Sequence, residues 1–289
     1  MNKVLYVPVN INTGAQIDIY FNSIEDCQRY CDSENNESLI PKEYNYIIED
    51  DRLTVVYAAD RNLYQYLPTV INSLLINNPD AKVYVFAEDD TINTLVHPNV
   101  TVINFNIFKD RLLPTSPQFK YYIPFPTFIR LWIADVLSES KVLWLDVDTI
   151  VDGSLEELKD LEMGDNIIAA VFDCLWNTRH QISDKYINAG VMVMNLDEWR
   201  RLGFTERATE MLNKERWQYG DQDIINKLCK GKVIFLNGRY NYGSRWINTA
   251  DTINPVKIYH WPGKPKQWDS KVIHDRMLWQ KYYTPELTK

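Results

Sequence analysis

The pattern of apolar positions changes character near residue 52. Before it, KVLYVPVN and QIDIYF are short strand-like runs around Asn12, Thr13 and Gly14, which read as a hairpin turn. SIEDCQRYCDS follows as a short helix with Ser23 as its N-cap, and YNYIIED reads as a third strand. From residue 52 onward, strand and helix patterns alternate, which predicts an α/β sheet. LTVVYAAD (53–60), AKVYVFAED (81–89), NVTVINF (99–105), KVLWLDVDTIV (141–151), NIIAAVFD (166–173) and KVIFLN (232–237) read as strands, and INAGVMVMNL (187–196) as an extended segment. Between them, 67–78 has helical spacing, and 126–140 reads as a helix that starts at Pro126 and is periodic in Phe128, Leu131, Trp132 and Leu137. Further helices are expected from Ser154, over 198–214 and over 221–230, and VKIYH is a last strand-like run.

No repeat, low-complexity tract or Gly/Ser linker interrupts this pattern, so 52–268 is expected to be one continuous domain. A small α+β extension (1–51) precedes it and a C-terminal helix or tail (269–289) follows. The apolar share of 45% and charged share of 24% are those of a globular protein and exclude a disordered or collagenous chain. The longest apolar runs, such as 167–172, fall far short of the roughly eighteen residues of a membrane span. MNKVLYVPVN is too short and too interrupted for a signal peptide, which predicts a cytoplasmic protein. Cys27, Cys31, Cys174 and Cys229 form no paired motif and read as reduced, mostly buried thiols. The net charge of −8 hides an asymmetry: residues 239–289 carry nine basic and four acidic side chains, a local +5. An acidic body argues against nucleic-acid binding, and its basic end suggests a local anionic ligand or surface.

The chemistry concentrates where the 141–151 strand runs into carboxylates. In an extended chain, positions i and i+2 point to one side, so Asp146 and Asp148 face one point beyond the strand's C-terminal edge, where open α/β sheets bind ligands. Two like charges so close call for a cation between them, and oxygen ligands suit Mg²⁺ or Mn²⁺. A solvated strand end with turn-forming aspartates is the plain alternative. Neither GxxxxGK[ST] nor GxGxxG follows the first strand, so a diphosphate would be held by metal and side chains. His260 lies in IYHWPGKPKQW with Lys264 and Lys266 close behind. An imidazole there can complete a metal's shell and a lysine can meet a phosphate.

Five blocks in order resemble glycosyltransferase family 8, the group of bacterial lipooligosaccharide galactosyltransferases and glycogenin-like proteins. They are YAADRNLYQYLPT, FPTFIRLWIADVL, VLWLDVDTIV, YINAGVMVMNLDEW with YGDQDIIN, and HWPGKPKQW, and together they span roughly 53–268. The resemblance implies a GT-A fold, a Rossmann-like mixed but mostly parallel sheet flanked by helices. It also implies a retaining, Mn²⁺-dependent transferase that moves glucose or galactose from a UDP-sugar to a hydroxyl on a glycan, glycolipid or protein. By position it assigns Ala58, Asp60 and Asn62 to uridine and ribose, Arg130 to donor phosphates or sugar hydroxyls, and Asp146, Asp148 and His260 to the metal, with Val147 between them facing the donor. Asp173, Asn188, Ala189, Asp221 and Gln222 line the donor sugar, with Gln222 nearest the anomeric face. The last block departs from the family's HxxGxxKPW: Gly263, Lys266 and Trp268 match while Gln267 replaces the proline, leaving Lys264 or Lys266 to meet the diphosphate.

Retention in glycosidases uses a carboxylate nucleophile. An amide at Gln222 favours front-face attack with the leaving phosphate as base, and Asp221 is the carboxylate to watch. The same residues admit two rival readings. LWLDVDTIV also fits the hhhDxDxT motif of haloacid-dehalogenase-like phosphatases, although that motif usually opens its domain. A UDP-sugar-binding protein without turnover is the other. HDRMLWQKYYTPELTK, aromatic and basic, reads either as a peripheral membrane contact or as a helix packed on the body.

Overall fold

The computed structural model describes residues 2–10, 12–13, 23–34, 39–47, 50–89, 91–92, 94–112, 124–173, 185–243 and 255–287. The chain divides into two compact units, 1–51 and 52–289. In the first, β1 (Asn2–Asn10) pairs antiparallel with β2 (Leu39–Ile47), with Asn2 opposite Ile47 and Pro8 opposite Pro41. The strand expected at 44–50 therefore begins earlier, at Leu39. Gly14 and QIDIYF of the expected hairpin lie outside the described residues, as does Cys174. Between the strands, α1 (Ile24–Ser33) is capped by Ser23, whose side chain accepts from the Asp26 N–H. Cys27 and Cys31, one turn apart, point to the same side and are buried with Leu39.

The second unit is built on a seven-stranded sheet. Its strands are β3 (Thr54–Ala59), β4 (Lys82–Ala87), β5 (Val100–Asn104), β6 (Lys141–Leu145), β8 (Ile168–Phe172), β9 (Ile187–Asn195) and β10 (Val233–Leu236). Their order is β10-β8-β9-β6-β3-β4-β5, parallel except that β9 runs antiparallel to both neighbours. The central strands are apolar at nearly every position because both faces are covered. Val56, Ala58, Trp144 and Met192 pack on one side with Phe128, Trp132 and Trp199. Val55, Tyr57, Leu143 and Val191 pack on the other with Leu67, Val70, Ile71 and Leu74 of α2 (Leu67–Asn77). Alternation along each strand thus sorts its residues between two cores.

Four expected elements take a different form. The helix over 126–140 is two short 3-10 segments, Phe125–Leu131 and Ile133–Asp135, with a break at Trp132. Phe128, Ile129, Arg130, Leu131, Trp132 and Ile133 are all buried, so no solvent face favours a regular α-helix. The strand over 141–151 divides into β6 and β7 (Thr149–Val151) because the Asp146 carbonyl accepts from both the backbone N–H (3.2 Å) and the hydroxyl (2.8 Å) of Thr149, which closes a turn. The helix over 198–214 is two, α4 (Leu196–Arg201) and α5 (Phe204–Lys214), parted at Gly203, whose φ of +57° is left-handed. The helix expected from Ser154 is the single turn α3 (Glu156–Lys159).

The C-terminal part returns to the sheet. β11 (Ile258–His260) pairs antiparallel with β7, with His260 opposite Thr149. α7 (Ile273–Tyr282) lies against α2: Tyr282 is buried, its carbonyl accepts from Asn72 Nδ2 at 2.8 Å, and its hydroxyl accepts from Asn77 Nδ2 at 3.1 Å. Among the described residues no helix is long and apolar enough to cross a membrane.

Candidate active site

Past the C-terminal ends of β3 and β6 lies a cavity of about 570 Å³, a size suited to a sugar nucleotide or similar ligand. Asp146 is the first residue beyond β6. Its N–H donates to Gly190 O at 2.8 Å, continuing the β6–β9 ladder by one rung. The turn at 146–149 then brings Asp148 round, and the β7–β11 ribbon folds His260 in from the far end of the sequence. Trp261 N donates to Asp148 O at 3.0 Å and locks that ribbon to the turn. One ligand atom from each of Asp146, Asp148 and His260 falls within 4.8 Å of the others. The two aspartates converge through this turn rather than along one extended strand.

Each group is held from behind. Asp146 Oδ1 accepts from Trp144 Nε1 at 2.9 Å and Arg130 Nη2 at 2.8 Å. Asp148 Oδ1 lies 3.3 Å from His260 Nε2, and its Oδ2 accepts from Lys266 Nζ, which also donates to Trp261 O at 2.9 Å. Burial disfavours charge on Asp148, but His260 and the Lys266 ammonium outweigh it and hold this carboxyl well below the usual carboxylate range. Gly190 supplies the space: a Cβ there would stand 2.3 Å from His260 Cε1 and 2.9 Å from Asp146 Oδ2. Two carboxylates and one imidazole around a position kept open by a missing side chain fit a hard divalent cation.

Arg130 is almost wholly buried, with its guanidinium 4.7 Å from the Trp144 ring centre. Its Nε donates to Thr127 O at 2.9 Å and lies 3.1 Å from Asp221 Oδ2, and its Nη1 donates to Ala189 O. It braces Asp146, Ala189 and Asp221 from a buried position rather than pairing with a carboxylate at a helix surface. Asp221 and Asp223 sit in the first turn of α6 (Asp221–Leu228), behind Gly220. Desolvation pushes the Asp221 carboxyl up to about 7, with Arg130 opposing and the Asp146 charge assisting. The Gln222 carbonyl oxygen accepts from Ala189 N at 2.9 Å. Asn226 pins α6 to β9 by accepting from Ile187 N at 2.7 Å and donating to Ile187 O at 3.0 Å.

The cavity is lined by Ala58, Asp60, Arg130, Asp146, Val147, Asp148, Asn188, Ala189, Asp221, Gln222, His260, Gly263 and Lys266. Three residues assigned by resemblance lie outside that lining. Asn62 is exposed, with its N–H on Asp60 Oδ1; Asp173 is buried, with its N–H on Tyr186 O; Lys264 is exposed. Gln218, Tyr219 and Trp144 line it without having been expected there, and so does Trp268, which matched the last family block with no assigned role and is stacked on Tyr66 with centroids 3.8 Å apart. Trp144 was readable, since it precedes Asp146 by two on the same strand face. Asn241, fully buried behind His260, had no sequence signal.

The model for glycosyl transferase family 8 matches residues 54–272. A putative glycosyltransferase of Haemophilus influenzae is 27% identical over 250 residues, covering 77% of this chain and 74% of that protein. The lipopolysaccharide 1,3-galactosyltransferase of Salmonella typhimurium is 28% identical over 260 residues, covering 79% and 77%. Among solved structures, the galactosyltransferase LgtC in complex with donor and acceptor sugar analogs is similar at a TM-score of 0.66 and 26% identity, over 80% of this chain and 97% of that one.

Proposed function

The chain belongs to glycosyltransferase family 8, and from that premise we propose that it moves a hexose, glucose or galactose, from a UDP-sugar to an acceptor hydroxyl on a glycan, glycolipid or protein, with retention of configuration. The observation that carries this reading is the convergence of Asp146, Asp148 and His260 on one point of a sugar-nucleotide-sized cavity at the strands' C-terminal edge. A phosphatase reading of the same aspartates does not account for His260 or for the family match.

Asp146, Asp148 and His260 would hold the cation, Mn²⁺ or Mg²⁺. Bound there, it supplies a Lewis acid for the departing diphosphate. Lys266, at the rim of that cluster, meets the diphosphate as a point charge. Ala58, Asp60 and Val147 receive the nucleoside, and Asn188, Ala189, Asp221 and Gln222 face the hexose. The Gln222 amide is tethered to Ala189, and the Asp221 carboxyl, pushed up to about 7 by burial, lies against the Arg130 guanidinium. An amide is a poor nucleophile and the Asp221 carboxyl is engaged by Arg130, which supports front-face attack over a covalent glycosyl-enzyme. Exposed Val272, Ile273 and Met277 beside Lys271 and Arg276 support peripheral contact with an anionic membrane on the cytoplasmic side.

The test is a panel of UDP-, GDP-, ADP- and dTDP-sugars assayed by nucleotide release and calorimetry with and without Mn²⁺. A metal-dependent preference for one UDP-hexose is expected. Indifference to the base, or UDP-sugar binding without turnover, overturns the proposal. The same calorimetry separates the two lysines. Lys266→Ala is expected to weaken UDP binding about tenfold, the loss of one charge-assisted contact. Lys264→Ala, at an exposed position outside the cavity lining, is expected to stay within about twofold.

A further inference from the structure

A chain of amide contacts behind the carboxylate–imidazole cluster determines which nitrogen of His260 carries a proton. It begins at a donor whose identity is beyond question, the backbone N–H of Gly190, 3.0 Å from Asn188 Oδ1. That contact makes the atom facing Gly190 the Asn188 carbonyl oxygen. The same oxygen lies 3.0 Å from Asn241 Nδ2, which therefore is the amide nitrogen donating to it. The Asn241 carbonyl oxygen is then turned to His260 Nδ1 at 2.8 Å. A carbonyl oxygen only accepts, so Nδ1 must donate. The reverse arrangement, with Nδ1 accepting, would rotate the Asn241 amide and set its oxygen against the pinned oxygen of Asn188. Asn241 and His260 are both buried, so no solvent relieves that clash.

We propose that Asn241, oriented by Asn188 and Gly190, is a positioning residue that fixes His260 as the Nδ1–H tautomer and so dedicates Nε2, on the Asp148 side of the ring, to the cation. The dedication to a cation rests on the metal reading above; the tautomer does not. Gly190 serves the arrangement twice, by its N–H at the start of the relay and by the absent Cβ that leaves room for the ring. An outer-shell partner of this kind typically changes metal affinity 10–100-fold when removed.

The experiment uses the full chain with ¹⁵N-labelled imidazoles, with His260→Gln identifying its signals among the four histidines. Mn²⁺ binding in the presence of UDP is followed by electron paramagnetic resonance. In metal-free wild type at alkaline pH the single ring proton is contested by Asn241 Oδ1, 2.8 Å from Nδ1, and Asp148 Oδ1, 3.3 Å from Nε2, and it is expected on Nδ1, at the shorter contact. In Asn241→Ala it is expected to move to Nε2, with Mn²⁺ affinity falling about 10–100-fold. Asn241→Asp combined with Asn188→Ala, which presents an acceptor in either orientation and removes the Asn188 oxygen it would otherwise face, is expected to restore Nδ1–H. Should Asn241→Ala not fold, Asn188→Ala breaks the relay one link away and is read by the same tautomer shift. Nε2–H in wild type, or an Asn241→Ala variant unchanged in tautomer and affinity, overturns the proposal. A relay that behaves as described in a wild type that binds no Mn²⁺ overturns the metal reading instead and leaves the tautomer assignment standing.

Discussion

Asp148→Asn is expected to lower metal-dependent transfer by about three orders of magnitude, the largest single effect in this protein. The substitution preserves shape and removes the charge that holds three features together: the His260 imidazole at 3.3 Å, the Lys266 ammonium, and the third side of the cation cluster. With an amide in its place, Lys266 and any bound cation would face each other without the anion between them. The carboxylate side chain is largely buried, so solvent cannot substitute for it. Folding should survive, because the turn around it is held by the backbone, through Thr149 N to Asp146 O and Trp261 N to Asp148 O. The measurement is UDP release against Mn²⁺ concentration, beside a thermal unfolding curve. Wild-type metal dependence in a folded variant would remove Asp148 from the metal site.

Gly190→Ala tests the same site by steric means, with a loss of transfer of about 10²-fold expected. The new methyl would stand 2.3 Å from His260 Cε1 and 2.9 Å from both His260 Nε2 and Asp146 Oδ2. Neither neighbour is free to swing aside. The His260 ring is pinned by Asn241 and by the β7–β11 ribbon, and Asp146 Oδ1 is held by Trp144 and Arg130. The cost therefore appears as displacement of the ligand set, with an overpacking penalty of roughly 1–3 kcal/mol in stability. A variant that unfolds a few degrees early yet binds Mn²⁺ like wild type would show that the close approach at Gly190 is incidental to the site.

The central strands of the second unit were legible because they are apolar at nearly every position and end in polar turn residues, as at 53–60 and 81–89. The regular helix at 126–140 was a misreading with a physical cause. The run from Phe128 to Ala134 is buried at every position, so helical spacing has no solvent face there to enforce it, and the segment, packed with Phe105, Phe108 and Trp144, forms two 3-10 turns instead. The break at Gly203 was readable from the glycine itself, but apolar spacing on either side obscured it. Asp146 and Asp148 stood out as carboxylates where an apolar strand ends; His260 was readable as an imidazole that can complete a metal's shell, and the order of family blocks assigned it to these aspartates. Asn62, Asp173 and Lys264, which the resemblance offered as site residues, lie outside the cavity lining, since a sequence position does not specify the direction of a side chain.

The chain's own order of residues determined the family, the α/β class and the two aspartates, because alternation and strand-end carboxylates are local properties that survive without neighbours. Tertiary structure alone decided the rest: that Arg130 braces carboxylates, that Gly190 leaves room for an imidazole, and that Asn241 stands behind it. Those roles arise where β6, β9, the Phe125–Leu131 segment and β11 meet. Hydrogen bonds and steric gaps between segments distant in sequence leave no mark on any one of them.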